Sequence, residues 1–111
     1  MKVAVLMGSK SDLPVMEESA AVLRQFGVSF EMRILSAHRT PDEVASIART
    51  AREKGFSAII AGAGMSAHLA GVIAAHTTLP VIAVPIDASS LGGLDALLSM
   101  VQMPPGIPVA T

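Results

Sequence analysis

Four times along this chain a short apolar run gives way to a small polar loop and then to a stretch with helical spacing. That alternation constrains the fold more than any other feature, because strands alternating with helices specify a parallel sheet joined by crossover helices. The first run is Lys2–Met7, followed by Gly8-Ser9-Lys10-Ser11-Asp12. A helix is expected from about Pro14, where a missing N–H costs nothing. Its apolar stripe reads as Val15, Ser19, Val22, Leu23 and Phe26, and Gly27 is its stop. Residues 28–35 alternate, with Val28, Phe30, Met32 and Ile34 on one face, which predicts a second strand.

Thr40, Pro41 and Glu43 have the spacing of a capping box and predict the start of the second helix. Its stripe is Val44, Ile47, Ala48 and Ala51, and Gly55 is its stop. A third strand is expected over 56–61, a helix over about 67–75, a fourth strand over 81–84 and a helix over 94–102 with Leu94, Leu97, Leu98 and Val101 as its stripe. Residues 107–110 read as the beginning of a fifth strand. With 111 residues and no linker or repeat, the chain is expected to form one α/β domain, 1–111, with a parallel sheet.

Composition narrows the functions. Charged residues make up 15%, against about 25% in a typical domain, and the net charge is −1. Binding to nucleic acid or a membrane surface through bulk positive charge is therefore excluded. Trp and Tyr are absent, which disfavours an aromatic platform for single-stranded nucleic acid. Without cysteine there is no thiolate ligand or thiol nucleophile, and a reducing cytoplasm is the default expectation. The apolar run at 56–75 is interrupted by Gly62, Gly64, Ser66, His68 and Gly71, so no membrane span is expected there. The run at 3–7 is too short for a signal peptide.

All eight Lys and Arg lie between Lys2 and Lys54, and beyond residue 54 only Asp87 and Asp95 are charged. So small a domain cannot hide an uncharged half within itself. A large apolar patch marks an interface, so homo-oligomerisation is expected.

In open α/β sheets ligands bind beyond the carboxyl ends of the strands. Here those ends carry GSKSD, SAHRT, GAGMSAH and PIDASS, while the opposite connections are short and chemically plain. Gly8–Asp12 offers hydroxyls and N–H groups at a helix start, suited to an anion. Asp12 suits ribose hydroxyls, and Ser11 or Asp12 as simple helix caps is an equally good reading. Arg39 can hold a phosphate through its planar fork, and His38 can move protons near neutral pH. Ordinary surface roles are commoner for such a pair, but this loop lies at the ligand end, ahead of a firmly fixed helix.

Gly62–Ala67 fits the glycine pattern of dinucleotide sites, although in the third unit rather than the first. Tight turning or close backbone approach is the commoner meaning of such glycines. A non-catalytic nucleotide-binding module follows from the first meaning. His68 reads by itself as a structural histidine. The three histidines lack metal-ligand spacing, so no metal is expected.

Four motifs stand in order along the chain: Met7–Asp12; Ser36-Ala37-His38-Arg39-Thr40-Pro41; Ala61-Gly62-Ala63-Gly64 with Ala67-His68-Leu69; and Val101-Gln102-Met103-Pro104 with Gly106–Thr111. Together they resemble the 5-(carboxyamino)imidazole ribonucleotide mutase family of purine biosynthesis, related to aminoimidazole ribonucleotide carboxylase. The resemblance implies a flavodoxin-like three-layer αβα sandwich, an octamer, and transfer of a carboxylate from an exocyclic nitrogen to ring carbon 4 without cofactor or metal. It implies His38 as the proton-transfer residue. It also implies that Ser9, Asp12, Ser36 and Arg39 bind substrate, with Arg39 and Ser36 near the phosphate and Asp12 near the ribose. Gly62, Gly64 and His68 would form the wall of a carbon dioxide pocket. Family chains carry further helices after the last strand matched here.

Two departures stand out. Met65-Ser66 replace the Gly-Ala common before the third motif's histidine, and Ala70 replaces a common Pro. A sister class that uses free carbon dioxide carries Lys at the position of Arg39, so Arg39 favours the mutase, with a carboxylase using free carbon dioxide as the alternative activity.

Overall fold

The computed structural model describes residues 1–111. The chain runs β1 (Lys2–Met7), a 3-10 turn (Lys10–Asp12), α1 (Leu13–Gln25), β2 (Ser29–Ile34), α2 (Pro41–Thr50), β3 (Ala58–Gly64), α3 (Leu69–His76), β4 (Val81–Ile86) and α4 (Leu94–Val101). All pairings between strands are parallel, in the order β2-β1-β3-β4. Ala110 extends the sheet beyond β4 through a parallel bridge to Ile82. Its carbonyl accepts from Ala83 N–H at 2.7 Å and its own N–H donates to the Val81 carbonyl at 3.0 Å. The fifth strand expected over 107–110 is thus a single bridge. The order 2-1-3-4, with a fifth position outside β4, is the flavodoxin-like doubly wound arrangement.

Side-chain alternation along β1 separates the layers. Val3, Val5 and Met7 pack against Met16 of α1, together with Ile86. Ala4 and Leu6 face the other way, into a larger core shared with Val44 and Ala48 of α2, Ile73 of α3, and Ala96 and Met100 of α4. One helix covers one face and three cover the other, which makes the three-layer sandwich.

The α2 stripe is as the spacing predicts: Val44, Ala48 and Ala51 are buried and Ile47 packs against the same core. Two other stripes are not. On α1 the core face is Met16 and Ala20, flanked by Leu23, while Val15, Val22 and Phe26 lie exposed. On α4 only Ala96 and Met100 are buried, and Leu94, Leu97, Leu98 and Val101 are 41–55% exposed. Both helices are apolar on two faces, so periodicity alone selects the bulkier face. The sheet instead takes small or flexible side chains, which allow close approach.

The capping box also moves. Thr40 makes no side-chain cap to α2, because its hydroxyl accepts from Ser36 N–H at 3.0 Å and donates to the Ser36 carbonyl at 3.1 Å. Pro41 at the first position and Asp42 and Glu43 in the first turn support that helix start instead. A capping box does form at Ser9 and Asp12: Ser9 N–H donates to the Asp12 carboxylate at 3.1 Å and Ser11 N–H to Ser9 Oγ at 3.4 Å.

β3 runs three residues further than the apolar run suggests, so Gly62 and Gly64 lie within the strand rather than in a turn. Their lack of a side chain serves packing. A Cβ on Gly62 would strike Met16 Sδ, and one on Gly64 would lie 2.6 Å from Ala88 Cβ and 3.1 Å from the Ile86 carbonyl oxygen. A methionine tip can move, but a backbone carbonyl and the Cβ beside it cannot. Gly64→Ala is therefore expected to destabilise the fold by about 1–3 kcal/mol, the usual cost of overpacking, and by more than Gly62→Ala. Urea unfolding of both variants checks this, and equal or reversed midpoints contradict it.

Candidate active site

The sheet order brings three loops together. The loops leaving β2 and β3 flank the one leaving β1, because β1 lies between those strands. Backbone pairing persists past the strand tips: Gly8 N–H donates to the Gly62 carbonyl at 3.1 Å, and Leu35 N–H to the Met7 carbonyl at 2.8 Å. Between the loops opens a cleft of about 500 Å³, within the range of small-molecule sites.

Of the residues singled out from the sequence, Ser9, Asp12, Ser36, His38, Arg39, Gly64 and His68 line this cleft. Gly62 does not: it lies one step down β3, against Met16. Sequence reasoning did not pick out Ala63 or Ala88, which also line the cleft, or the Gly8 carbonyl as an acceptor for Arg39.

The β2–α2 loop is tied to itself. Ser36 Oγ accepts from His38 N–H at 3.3 Å and from Arg39 N–H at 3.0 Å, and Thr40 N–H donates to the Ser36 carbonyl at 2.9 Å. The Ser36 hydroxyl proton stays available to a ligand. The Arg39 guanidinium donates to the Gly8 carbonyl at 3.4 Å across the cleft. It has no carboxylate partner among the ion pairs, which are Lys2–Glu31, Arg24–Glu17 and Arg33–Glu31. A guanidinium without a counter-charge beside hydroxyls and N–H groups is ready for an anion.

His38 and His68 meet. His38 Nε2 lies 2.8 Å from His68 Nδ1, with the rings edge to face at 83°. One of these nitrogens must carry the hydrogen and the other must accept it. A proton arriving on one imidazole can therefore be relayed to the other. His68 stands immediately before α3 without a side-chain cap bond to it and shares the cleft with His38, rather than acting as a core histidine. The signal was in the sequence, since the two histidines follow consecutive strands of the chain, β2 and β3. Their meeting depends on β2 and β3 lying on either side of β1, which spacing does not reveal. No group of three or more His, Asp or Glu gathers as a metal cage would require.

Asp12 is the one buried charged side chain. Burial pushes its carboxyl above the ordinary 3.8, partly offset by the hydrogen bond from Ser9 N–H. Its contribution to stability is therefore fullest below 3.8 and is lost as pH rises from there through the raised folded value. Asp12→Asn keeps an oxygen for the Ser9 N–H and carries no charge. The variant is expected to lose this downward slope and to be no less stable than the parent at pH 7. Urea midpoints across the acid range check this, and a destabilised variant at pH 7 contradicts it.

The family model described as AIR carboxylase matches residues 2–111. The N5-carboxyaminoimidazole ribonucleotide mutase of Pyrococcus abyssi is 63% identical over 110 residues, covering 99% of this chain and 63% of that protein. Its namesake from Vibrio parahaemolyticus is 56% identical over 111 residues, covering all of this chain and 69% of that protein. Against the first of these, and a 60% identical Pyrococcus horikoshii relative of which 62% is covered, the chain spans just under two thirds of the relative's length. The crystal structure of Treponema denticola PurE superposes with a TM-score of 0.86 at 34% identity, covering 98% of this chain and 69% of that one. With its whole length after Met1 matched, the chain belongs to the AIR carboxylase family.

Proposed function

We propose that this protein is a mutase of de novo purine (IMP) biosynthesis. It would convert 5-(carboxyamino)imidazole ribonucleotide into 4-carboxy-5-aminoimidazole ribonucleotide. The observation that carries the reading is the His38–His68 pair, 2.8 Å apart in a cleft that also holds an unpaired guanidinium. The mutase names of the relatives support it.

The chemistry needs few groups. The carbamate N–C bond breaks, its electron pair stays on nitrogen, and nitrogen takes up a proton. Ring carbon 4 then attacks the retained carbon dioxide, and the new C–C bond is followed by loss of the carbon 4 proton. One proton is taken up and one is given back, so the cycle is proton-neutral and one imidazole can serve both steps. His38 is that imidazole, and His68 holds it in orientation and shares its proton. Arg39 and the Ser36 hydroxyl bind the phosphate, Asp12 the ribose, and Ser9 completes the β1 side. The backbone at Gly64 and the small side chains of Ala37, Ala63 and Ala88 shape the pocket for carbon dioxide. No cofactor or metal takes part in this scheme. Purine synthesis of this kind belongs to the cytoplasm.

His38→Asn is expected to lower kcat by about 10²–10⁴, the usual contribution of a positioned acid–base group, with substrate binding largely kept. Arg39→Leu is expected to raise KM instead. Steady-state kinetics on the carbamate substrate check both, and full activity of the histidine variant contradicts the scheme. The description of the matching family names a carboxylase, so free carbon dioxide as co-substrate is the second reading. Faster product formation from aminoimidazole ribonucleotide plus bicarbonate than from the carbamate would favour it.

We also propose that the protein self-associates, as an octamer in line with the family resemblance, and that the α4 face takes part. Leu94, Leu97, Leu98 and Val101 form an apolar stripe there, with Leu91 exposed beside it. Leu94→Glu places a negative charge in the first turn of α4, where the helix dipole favours it. The subunit is expected to stay folded while the assembly dissociates. Light-scattering mass with circular dichroism checks this, and an unchanged mass contradicts it.

A further inference from the structure

The loop between β4 and α4 reaches the cleft through Ala88. Ala88 packs on Gly64 so closely that a side chain there would collide with it. From Gly64 the chain passes directly into the loop that ends at His68. Whatever fixes Ala88 therefore bears on how His68 stands beside His38. Two contacts bracket it. On one side Asp87 packs against Gly93, where a Cβ would lie 3.3 Å from that of Asp87. On the other, the Ser89 hydroxyl donates to Asp95 Oδ2 at 2.7 Å and accepts from Leu91 N–H at 3.2 Å. Asp95 stands in the first turn of α4, a helix anchored in the core by Ala96 and Met100.

An acid in a first helical turn has an ordinary use, as a partner for the helix dipole. That use does not account for the rest of this carboxylate. Its Oδ1 is shut away from solvent without a hydrogen-bond partner, the one such side-chain atom in the molecule. An orphaned oxygen costs free energy, and a solvated acid in the same turn would serve the dipole without that cost. What the inward placement gains is the bond to Ser89. We propose that Asp95 is a positioning residue. Although it does not line the cleft itself, it holds Ala88 on Gly64 through Ser89. It thereby keeps the loop bearing His68, and with it the His38–His68 contact, in place. The effect on turnover rests on the mutase reading, whereas the effect on the contact does not.

The test compares the parent with D95A, D95N, S89A and the double variant D95A/S89A. Nitrogen NMR of the His38 and His68 rings reads their contact in the free protein. Steady-state kinetics on the carbamate substrate, normalised to the folded fraction seen by circular dichroism, read turnover. D95A and S89A each remove the tie. Each is expected to displace the ring resonances and to lower kcat/KM several-fold. The double variant is expected to lose no more than either alone, because both remove the same bond. D95N keeps an oxygen for the Ser89 hydroxyl and is expected to match the parent in both readouts. S89A leaves the charge of α4 in place, so a fold lost in D95A does not obscure the result. A dipole role alone gives the opposite ranking, with D95N impaired like D95A and S89A silent. That ranking overturns the proposal, as do additive losses or ring resonances unchanged in both D95A and S89A. A parent inactive on the carbamate overturns the mutase reading, and the ring resonances then decide the proposal by themselves.

Discussion

The placement of β1 between β2 and β3 is the constraint on which the rest of the molecule depends. Its ladders run from Lys2 to Met7 on one side and from Val3 to Met7 on the other. Two further hydrogen bonds, from Leu35 and Gly8, carry the pairing into the loops. Without that central strand the loops bearing Ser9, His38 and His68 would have no common reference. The site is thus an outcome of parallel pairing at the point where the strand order reverses, and its polar groups sit on backbone that the sheet has already fixed. The local bonds within each loop then do the finer work. Ser36 holds the backbone at His38 and Arg39, and Asp12 holds Ser9.

The same packing explains the apolar surface. β1 is buried on both faces, β3 presses Gly62 and Gly64 against neighbouring elements, and Ala61 of β3 and Ala83 of β4 are buried. Helices that approach such a surface closely present small or flexible side chains, such as Ala20 and Met16 on α1 and Ala96 and Met100 on α4. Their leucines and valines are then directed outward. At about 25 cal/mol per Å² of apolar surface, leaving this stripe in water is costly, and that cost supports the proposed self-association.

Much of this was legible in the sequence. The apolar runs mark β1 and β4, and the Val44–Ala48–Ala51 spacing marks the buried face of α2. Gly27 and Gly55, both with positive φ, mark the exits from the first two helices. The ligand-facing loops follow from the general rule for parallel sheets. Other features were illegible for physical reasons. Where both faces of a helix are apolar, as in α1 and α4, periodicity has no basis for choosing between them. Thr40 has the spacing of a cap, but its hydroxyl is used by Ser36, a tertiary preference that no local pattern encodes. The pairing of His38 with His68 spans thirty residues and depends on strand order. Gly62 and Gly64 read as a turn from their spacing, but they serve the close contact of β3 with α1 and with the loop after β4.

The site also shows where the chain departs from what stability alone would select. Asp12 is buried with its carboxyl held above the ordinary range, although an amide could accept the same Ser9 N–H without the desolvation cost. Met65 occupies a turn that glycine would make freely. Arg39 faces a carbonyl rather than a carboxylate. Each is locally unfavourable, and all three lie on one cleft rather than scattered over the molecule. Proteins tolerate such departures where a ligand repays them. Their gathering on one cleft, rather than at scattered points, marks that cleft as the candidate site.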